Sequence, residues 1–399
     1  MKETMTILTT NMCSHLNANN MTVAMLYYPI FINILTFVVY GIDKWKAKQG
    51  SWRIPEATLL GMAIIGGSIG ALLGMKIWHH KTMHKKFKYG IPLILIVQIA
   101  LVLLTSCKSS DTLQIKNRNI TLRQDLTRGG AICFIGRGGQ GRNYINVHDE
   151  GRYVQQSYYA GQSVNRQAEG QSDFWSPWPW NPIQVGDYKR NRARILENWQ
   201  RGKCTYVRCV PMLWDMDNCP AEAEMEQWTE LKDNVVHVRC RLTCHRTDTV
   251  YGDVPVNQQE IPAVYPISSL NHLYAYRGEH PFISEPVDSI DVEELRFGQN
   301  GHGWGNYDDI SEQWMAFVGD DGWGMGVYSP SATQFLAGRF QSSRSGEAEE
   351  DATSYIAPIR KQHMPKQCTV EYEYYLLFGT IDEIRYAVYE LKTGKFKQK

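Results

Sequence analysis

Two glutamates in this sequence each open an apolar, strand-like run: Glu260 ahead of IPAVY and Glu312 just ahead of WMAFV. A carboxyl placed this way is desolvated, which disfavours its charged form and raises its pKa, the property a general acid needs at neutral pH. Paired carboxylates flanking a bond carry out glycoside hydrolysis, one as acid and the other as base or nucleophile. Glu260 with Glu312 is the first such pair. His302, in the glycine-rich GQNGHGWGN, adds a mobile acid/base group, and Asp149 is held in reserve. Each also has a structural reading: Glu260 bonding backbone at a strand end, and Asp149, Asp308 and Asp309 making Asx turns.

Rings accompany these acids. The stretch from His148 to Asp187 holds Tyr158, Tyr159, Trp175, Trp178 and Trp180 among amides such as Asn181 and Gln184, and Tyr265, Trp304 and Trp314 lie in the acid-bearing segments downstream. Flat rings beside amides and carboxylates suit a sugar, whose C–H faces stack while its hydroxyls take paired hydrogen bonds. In a lyase-type elimination, Asn181 or Gln184 would neutralise a uronate carboxyl and a Tyr or His would be the base. The stretch has neither a helical nor a strand period, and Pro177, Pro179 and Pro182 oppose a helix or central strand, so a long ordered loop is expected. The competing reading is that its tryptophans cover the end of a β-core.

The elements that must position these groups are strands. From Ile115 onward, ITLRQDL, AICFI, CTYVRCVPML, NVVHVRCRLTC, EQWMAFV, GMGVYS, CTVEYEYYLLF and EIRYAVYEL all read as strands, with one short helix near Ala221 to Leu231. Such a run predicts a large all-β sandwich over residues 115–399. Val236, Val238, Cys240, Leu242 and Cys244 alternate onto one face and read as core. The spacings Cys204 to Cys209 and Cys240 to Cys244 are too wide for a zinc knuckle. Export would permit a disulfide or two, with the pairing open. GRGGQG at Gly136 to Gly141 matches G-x-G-x-x-G, but RNYINVHDEGR follows where a dinucleotide site needs a helix. Neither a metal nor a cofactor is expected.

The chain of 399 residues, 43% hydrophobic, is long enough for about two or three domains. Its 42 Lys+Arg against 41 Asp+Glu leave a net charge of +1, so no global field calls for nucleic acid. Before residue 107 the texture changes. After a ragged start over residues 1–20, three uncharged stretches, Met21 to Ile42, Ala57 to Met75 and Tyr89 to Cys107, are each near the length of a membrane-spanning helix and predict a three-helix membrane domain over residues 21–106. Basic connectors on both sides of the second leave orientation open. Gly66, Gly70 and Gly74 form a small-residue stripe suited to helix–helix association. The third stretch follows Lys85, Lys86 and Lys88 and ends in Leu104-Thr105-Ser106-Cys107. That order resembles a bacterial lipoprotein signal, with Cys107 as the lipidated residue and residues 107–114 as lipobox Cys and tether.

Asp43-Lys44, Arg53-Ile54-Pro55-Glu56, Gly66-Gly67 and His80-Lys81-Thr82 together resemble the domain-of-unknown-function-1294 family of small bacterial inner-membrane proteins, over about residues 25–105. That resemblance implies a location and no chemistry. GGAICFI, RNYINVHDEG, the aromatic stretch and SLNHLYAYRG are similar in order to the galactose-mutarotase-like supersandwich of sugar epimerases, some glycoside hydrolases and some polysaccharide lyases. With both resemblances, the expected protein is anchored to a bacterial cell membrane, with its β-domain outside the cytoplasm acting on a poly- or oligosaccharide as hydrolase or lyase. Two alternatives stand beside it: a glycan-binding lipoprotein without catalysis, and a membrane protein whose β-domain is a sensor or fusion partner.

Overall fold

The computed structural model describes residues 28–106, 111–139, 141–253, 257–283, 285–291, 296–298, 301–303, 306–332, 334–340 and 345–395. Two compact units divide the chain, Met1–Ser109 and Ser110–Lys399.

The first unit is helical: α1 over residues 28–48, α2 over Glu56–Ile77 and α3 over Lys85–Ser106. Where the sequence predicts three spans, one helix among the described residues, α2, is long and apolar enough to cross a membrane by length and composition. The predicted first span begins outside the described residues, α1 ends in the charged run Asp43 to Lys48, and Cys107 at the end of the third lies outside them too. A π turn, Ala63–Gly67, interrupts α2, with Gly66 at φ 121°. The turn releases carbonyls, and neighbouring side chains take all four. Gln98 Nε2 donates to Ala63 and Ile64, the Tyr28 hydroxyl to Ile65, and Asn33 Nδ2 to Gly66. In an apolar setting each unpaired carbonyl would be costly, so these polar side chains make the break tolerable. Gly66 therefore serves the break, while Gly70 and Gly74 serve packing inside the chain. A Cβ on Gly70 would lie 2.0 Å from the Asn33 carbonyl oxygen, and one on Gly74 would lie 2.8 Å from Tyr40 Cβ.

The second unit is a large all-β sandwich. One sheet runs, in spatial order, Thr112–Lys116, Ile120–Asp125, Ala131–Arg137, Val154–Ser157, Asn257–Val264, Thr353–Gln362, Gln334–Phe340 and Asn306–Asp308. The other runs Asp288–Ile290, His272–Ala275, Trp314–Val318, Gly324–Tyr328, Gln367–Gly379, Val235–His245, Ala223–Lys232, Cys204–Val210 and Arg194–Arg201. A single apolar cluster, including Leu122, Ile135, Val154, Leu242, Phe317 and Leu376, draws on both sheets. The predicted face of Val236, Val238, Cys240, Leu242 and Cys244 is buried in it.

Three local expectations are corrected. The region from Ala221 to Leu231 is strand, Ala223–Lys232, with every second residue buried, so a period of two governs it. EIRYAVYEL lies in a helix, α4 (Ile381–Lys392), whose Ile384 and Val388 are buried and whose Thr380 and Glu383 form a capping box. The stretch 148–187 is not one loop, since Val154–Ser157 is an interior strand and Trp178–Trp180 pairs with Ala160–Val164. After Ala131–Arg137 the glycine-rich segment turns at Gly138 and Gly139, both at positive φ, and the next element is a strand, so the helix a dinucleotide site needs is missing from the described residues there.

Candidate active site in the β unit

Glu260 sits on an interior strand, between Val154–Ser157 and Thr353–Gln362. It stands opposite Ser157 on one side and Ile359 on the other. Beyond it the register slips by one residue before Val264 is reached opposite Ile356. Pro262 lies within this bulge, where a residue without an N–H costs the ladder least. A bulge re-aims side chains, and Glu260 lines a cleft with Ser157, Tyr159, Ala263 and Tyr265.

The cleft has a volume of about 100 Å³. Asp149, Gly151, Arg152 and Gln155 form one side, and Trp175, Trp178, Asn181, Ile183 and Trp214 form the other. The rings make a continuous edge-to-face chain. Trp214 meets Trp175 at 5.7 Å between centroids, Trp175 meets Trp178 at 5.0 Å, and Trp178 meets Tyr159 at 6.3 Å. Tyr159, Trp178 and Glu260 also line an adjoining cavity of about 220 Å³.

Burial pushes the Glu260 carboxyl above the usual carboxylate range, against the hydroxyls of Tyr355, Ser157 and Tyr159, whose hydrogen bonds favour its charged form. The same burial, and the Glu260 charge itself, push the Tyr159, Tyr265 and Tyr355 phenols well up. The site thus favours the neutral, protonated form of Glu260 and of these three phenols. Arg152 lines the cleft beside them. Its buried guanidinium lies over the rings of Tyr265 and Phe340, and its Nη2 donates to Asp351 at 3.1 Å. Its Nε is 3.8 Å from Asp149 and has no hydrogen-bond partner among the described residues.

Of the predicted site residues, the cleft brings together Glu260, Asp149, Tyr159, Trp175, Trp178, Asn181 and Tyr265. Asn181 acts here as a support. Its Oδ1 accepts from the Trp178 indole at 3.1 Å and its Nδ2 donates to the Tyr158 carbonyl at 2.8 Å. Four others are core residues outside the cleft. Tyr158 is buried and donates to Gln156, and Trp180 is buried under the Arg246 guanidinium. Gln184 bonds the backbone of Gly129 and Gln156, and Trp314 is fully buried.

The expected pairing of Glu260 with Glu312 does not form a common site. Glu312 is fully buried and accepts four hydrogen bonds: two from Arg385 at 2.6 and 3.0 Å, one from the Trp314 indole and one from the Phe282 amide, both at 2.8 Å. The two bonds from Arg385 dock α4, the other two tie Glu312 to its own strand and to the Phe282 loop, and the Glu260 cleft does not include it among the described residues. His302 belongs to the short strand Gly301–Gly303, its side chain being outside the described set, and Trp304 and Cys107 lie outside the described residues altogether. His272 is exposed and pairs with Asp320. Arg152, Ser157, Trp214 and Tyr355 were missed from sequence. The one legible signal was the position of Arg152 three residues after Asp149.

Residues 33–87 match the model of the DUF1294 family, described as a protein of unknown function. The uncharacterized Bacillus subtilis protein YsdA is 48% identical over 75 residues, which cover 19% of this chain and 84% of YsdA. The chain belongs to the DUF1294 family. That membership rests on the helical unit, and the β unit is an addition to it. The β unit is similar to solved structures at low identity. A galactose mutarotase related enzyme from Lactobacillus acidophilus is 8% identical, covering 68% of this chain and 99% of that one, with a TM-score of 0.41. An alpha-mannosidase from Enterococcus faecalis is 10% identical, covering 71% and 31%, with a TM-score of 0.40. Nothing about activity follows from these likenesses. Within the DUF1294 unit, the motif residues meet one another. Buried Asp43 accepts from His80 Nε2 at 2.6 Å and from the Ile54 amide at 2.8 Å, and Lys81 donates to Glu56 at 2.7 Å.

Proposed function

We propose that the β unit binds a glycan in the Glu260 cleft and cleaves it by acid catalysis, most simply by hydrolysis. The supporting observation is a buried, protonation-favouring carboxyl opening into a cleft walled by four edge-to-face rings. Glu260 protonates the leaving oxygen. Asp149, partly exposed beside Arg152, is the second carboxyl and activates water or attacks the sugar. The Trp175, Trp178 and Tyr159 rings take the sugar.

Purified full-length protein in detergent, titrated and incubated with a glycan panel, tests this. Expected is binding to at least one glycan with release of new reducing ends. Trp178→Ala should lose binding tenfold or more, and Glu260→Gln should keep binding while losing turnover by about 100-fold or more. Failure to bind every glycan sinks the proposal. Binding and function untouched in Glu260→Gln would select the second reading, a binding-only module.

We further infer that the DUF1294 unit is embedded in a bacterial membrane and that the β unit lies outside the cytoplasm. The embedding is supported by the apolar side chains that the helices turn outward: Ile30, Phe31, Ile34 and Val38 on α1, Ile64, Ile65, Ile69 and Leu73 on α2, and Leu93, Ile96, Ile99 and Leu101 on α3. Exposed apolar surface of that extent suits lipid rather than water. Anchorage is by these helices or, after cleavage, by a lipid on Cys107.

A further inference from the structure

We propose that the DUF1294 unit carries a binding site for a phosphate-class anion, in a basic cavity at the polar end of α1. The cavity, about 260 Å³, is lined by Lys44, Lys48, Arg53, His80, Lys81 and His84. These come from three places in the chain: the last turns of α1, the connector before α2, and the connector between α2 and α3. All fall inside residues 33–87, the part shared with the family.

Four permanent cations and two imidazoles converge there against two carboxylates. Both carboxylates are already committed, Asp43 to His80 and the Ile54 amide, and Glu56 to Lys81, with His84 at 3.8 Å. Even with both histidines neutral, two positive charges remain uncompensated. Lys48 and Arg53 have no carboxylate partner among the described residues, and Lys44 donates only to the His79 carbonyl, at 3.2 Å. Helix-end lysines alone would be an ordinary complement to the α1 dipole. That explanation covers neither Arg53 nor Lys81, whose ammonium-bearing side chain is 6% exposed and held in place by Glu56. The connector is also shaped for the purpose. His79 and Lys81, either side of His80, both take left-handed backbone, at φ 46° and 60°, a costly conformation for residues with side chains that is found where surroundings impose it.

Three cations without a carboxylate partner around one cavity give it a positive potential that concentrates anions. A guanidinium fork beside several ammonium groups is matched by a phosphate, which accepts in several directions and carries the compensating charge. Two sources offer that chemistry at a membrane surface, the headgroup of an anionic phospholipid and a soluble phosphate.

The test uses the full chain. It is titrated with inorganic phosphate in neutral detergent, and separately reconstituted in phosphatidylcholine nanodiscs with or without phosphatidic acid, with bound lipid read by native mass spectrometry. The expected result is saturable binding of one probe, weakened about fivefold by Arg53→Gln and again by Lys48→Gln, and unchanged by Lys88→Gln, a basic residue on α3 outside the cavity. Binding of inorganic phosphate identifies a soluble ligand, and retention of phosphatidic acid alone identifies a headgroup. The proposal is overturned if neither probe binds, or if Lys88→Gln weakens binding as much as Arg53→Gln, which would reduce the effect to general surface charge. Arg53 and Lys48 are exposed, so neither variant disturbs the core, and unchanged helical circular dichroism verifies it.

Discussion

Glu260 makes a prediction that does not depend on substrate. Its folded-state pKa is raised above its unfolded value by burial, so folding takes up a proton in the window between the two. The contribution of this group to stability is therefore full below the ordinary carboxylate range and is lost as pH rises through the raised value. Glu260→Gln, which keeps the shape without the charge, should match the native protein in thermal stability near about pH 4 and exceed it by a few degrees near about pH 8. Melting curves at the two pH values check this. A variant less stable than the native protein at the higher pH would contradict a buried, reluctantly ionised carboxyl. The two glutamates look alike in sequence, each leading into an apolar strand. What separates them is distant partners: Glu312 meets a guanidinium 73 residues on, in Arg385, whereas Glu260 meets the hydroxyls of Ser157, Tyr159 and Tyr355.

At the scale of elements, α4 shows how alternation can mislead. In EIRYAVYEL, a strand pattern competes with the spacing of Ile381, Ile384, Val388 and Leu391, and the Thr380–Glu383 capping box decides for helix. The helix lies on a small cluster with Trp314, Ala316, Tyr328 and Leu377, and Arg385 carries it to the fully buried Glu312. Removing one partner of such a pair strands a buried charge, so Arg385→Ala should destabilise the β unit by about 3–5 kcal/mol. Urea unfolding would measure that loss. Because α4 contributes nothing to the cleft walls, glycan binding below the transition should be unchanged; a binding defect without a stability defect would instead place Glu312 in the chemistry. The interior strand Val154–Ser157 teaches the opposite lesson. It hides inside a proline- and ring-rich stretch because its buried residues, Gln155, Gln156 and Ser157 among them, are polar, and polar burial leaves no hydrophobic period to read.

For the whole molecule, a thiol pair reports on location. Cys244 and Cys368 stand directly opposite in antiparallel register, a placement whose Cα separation falls within the range a disulfide needs. The neighbouring Cys244 lowers the Cys368 thiol to about 7, toward the thiolate that disulfide formation needs. If the β unit is exported, this pair should be bridged in protein isolated from the membrane fraction with free thiols blocked, and intact-mass analysis should show it losing two hydrogens relative to the reduced form. Two free thiols in protein from its native compartment would count against export.

The sequence by itself determined the DUF1294 membership, the large β-sandwich and most of its strands. Those depend on local composition, period and motif spacing. Tertiary structure alone decided which carboxyl faces a cleft, which rings are walls and which are core, and that the lysines and arginine of three separate segments share one cavity. The physical reason is the same in each case. Burial and charge compensation are set by what lies across the fold, tens of residues away along the chain, and no local pattern carries that information.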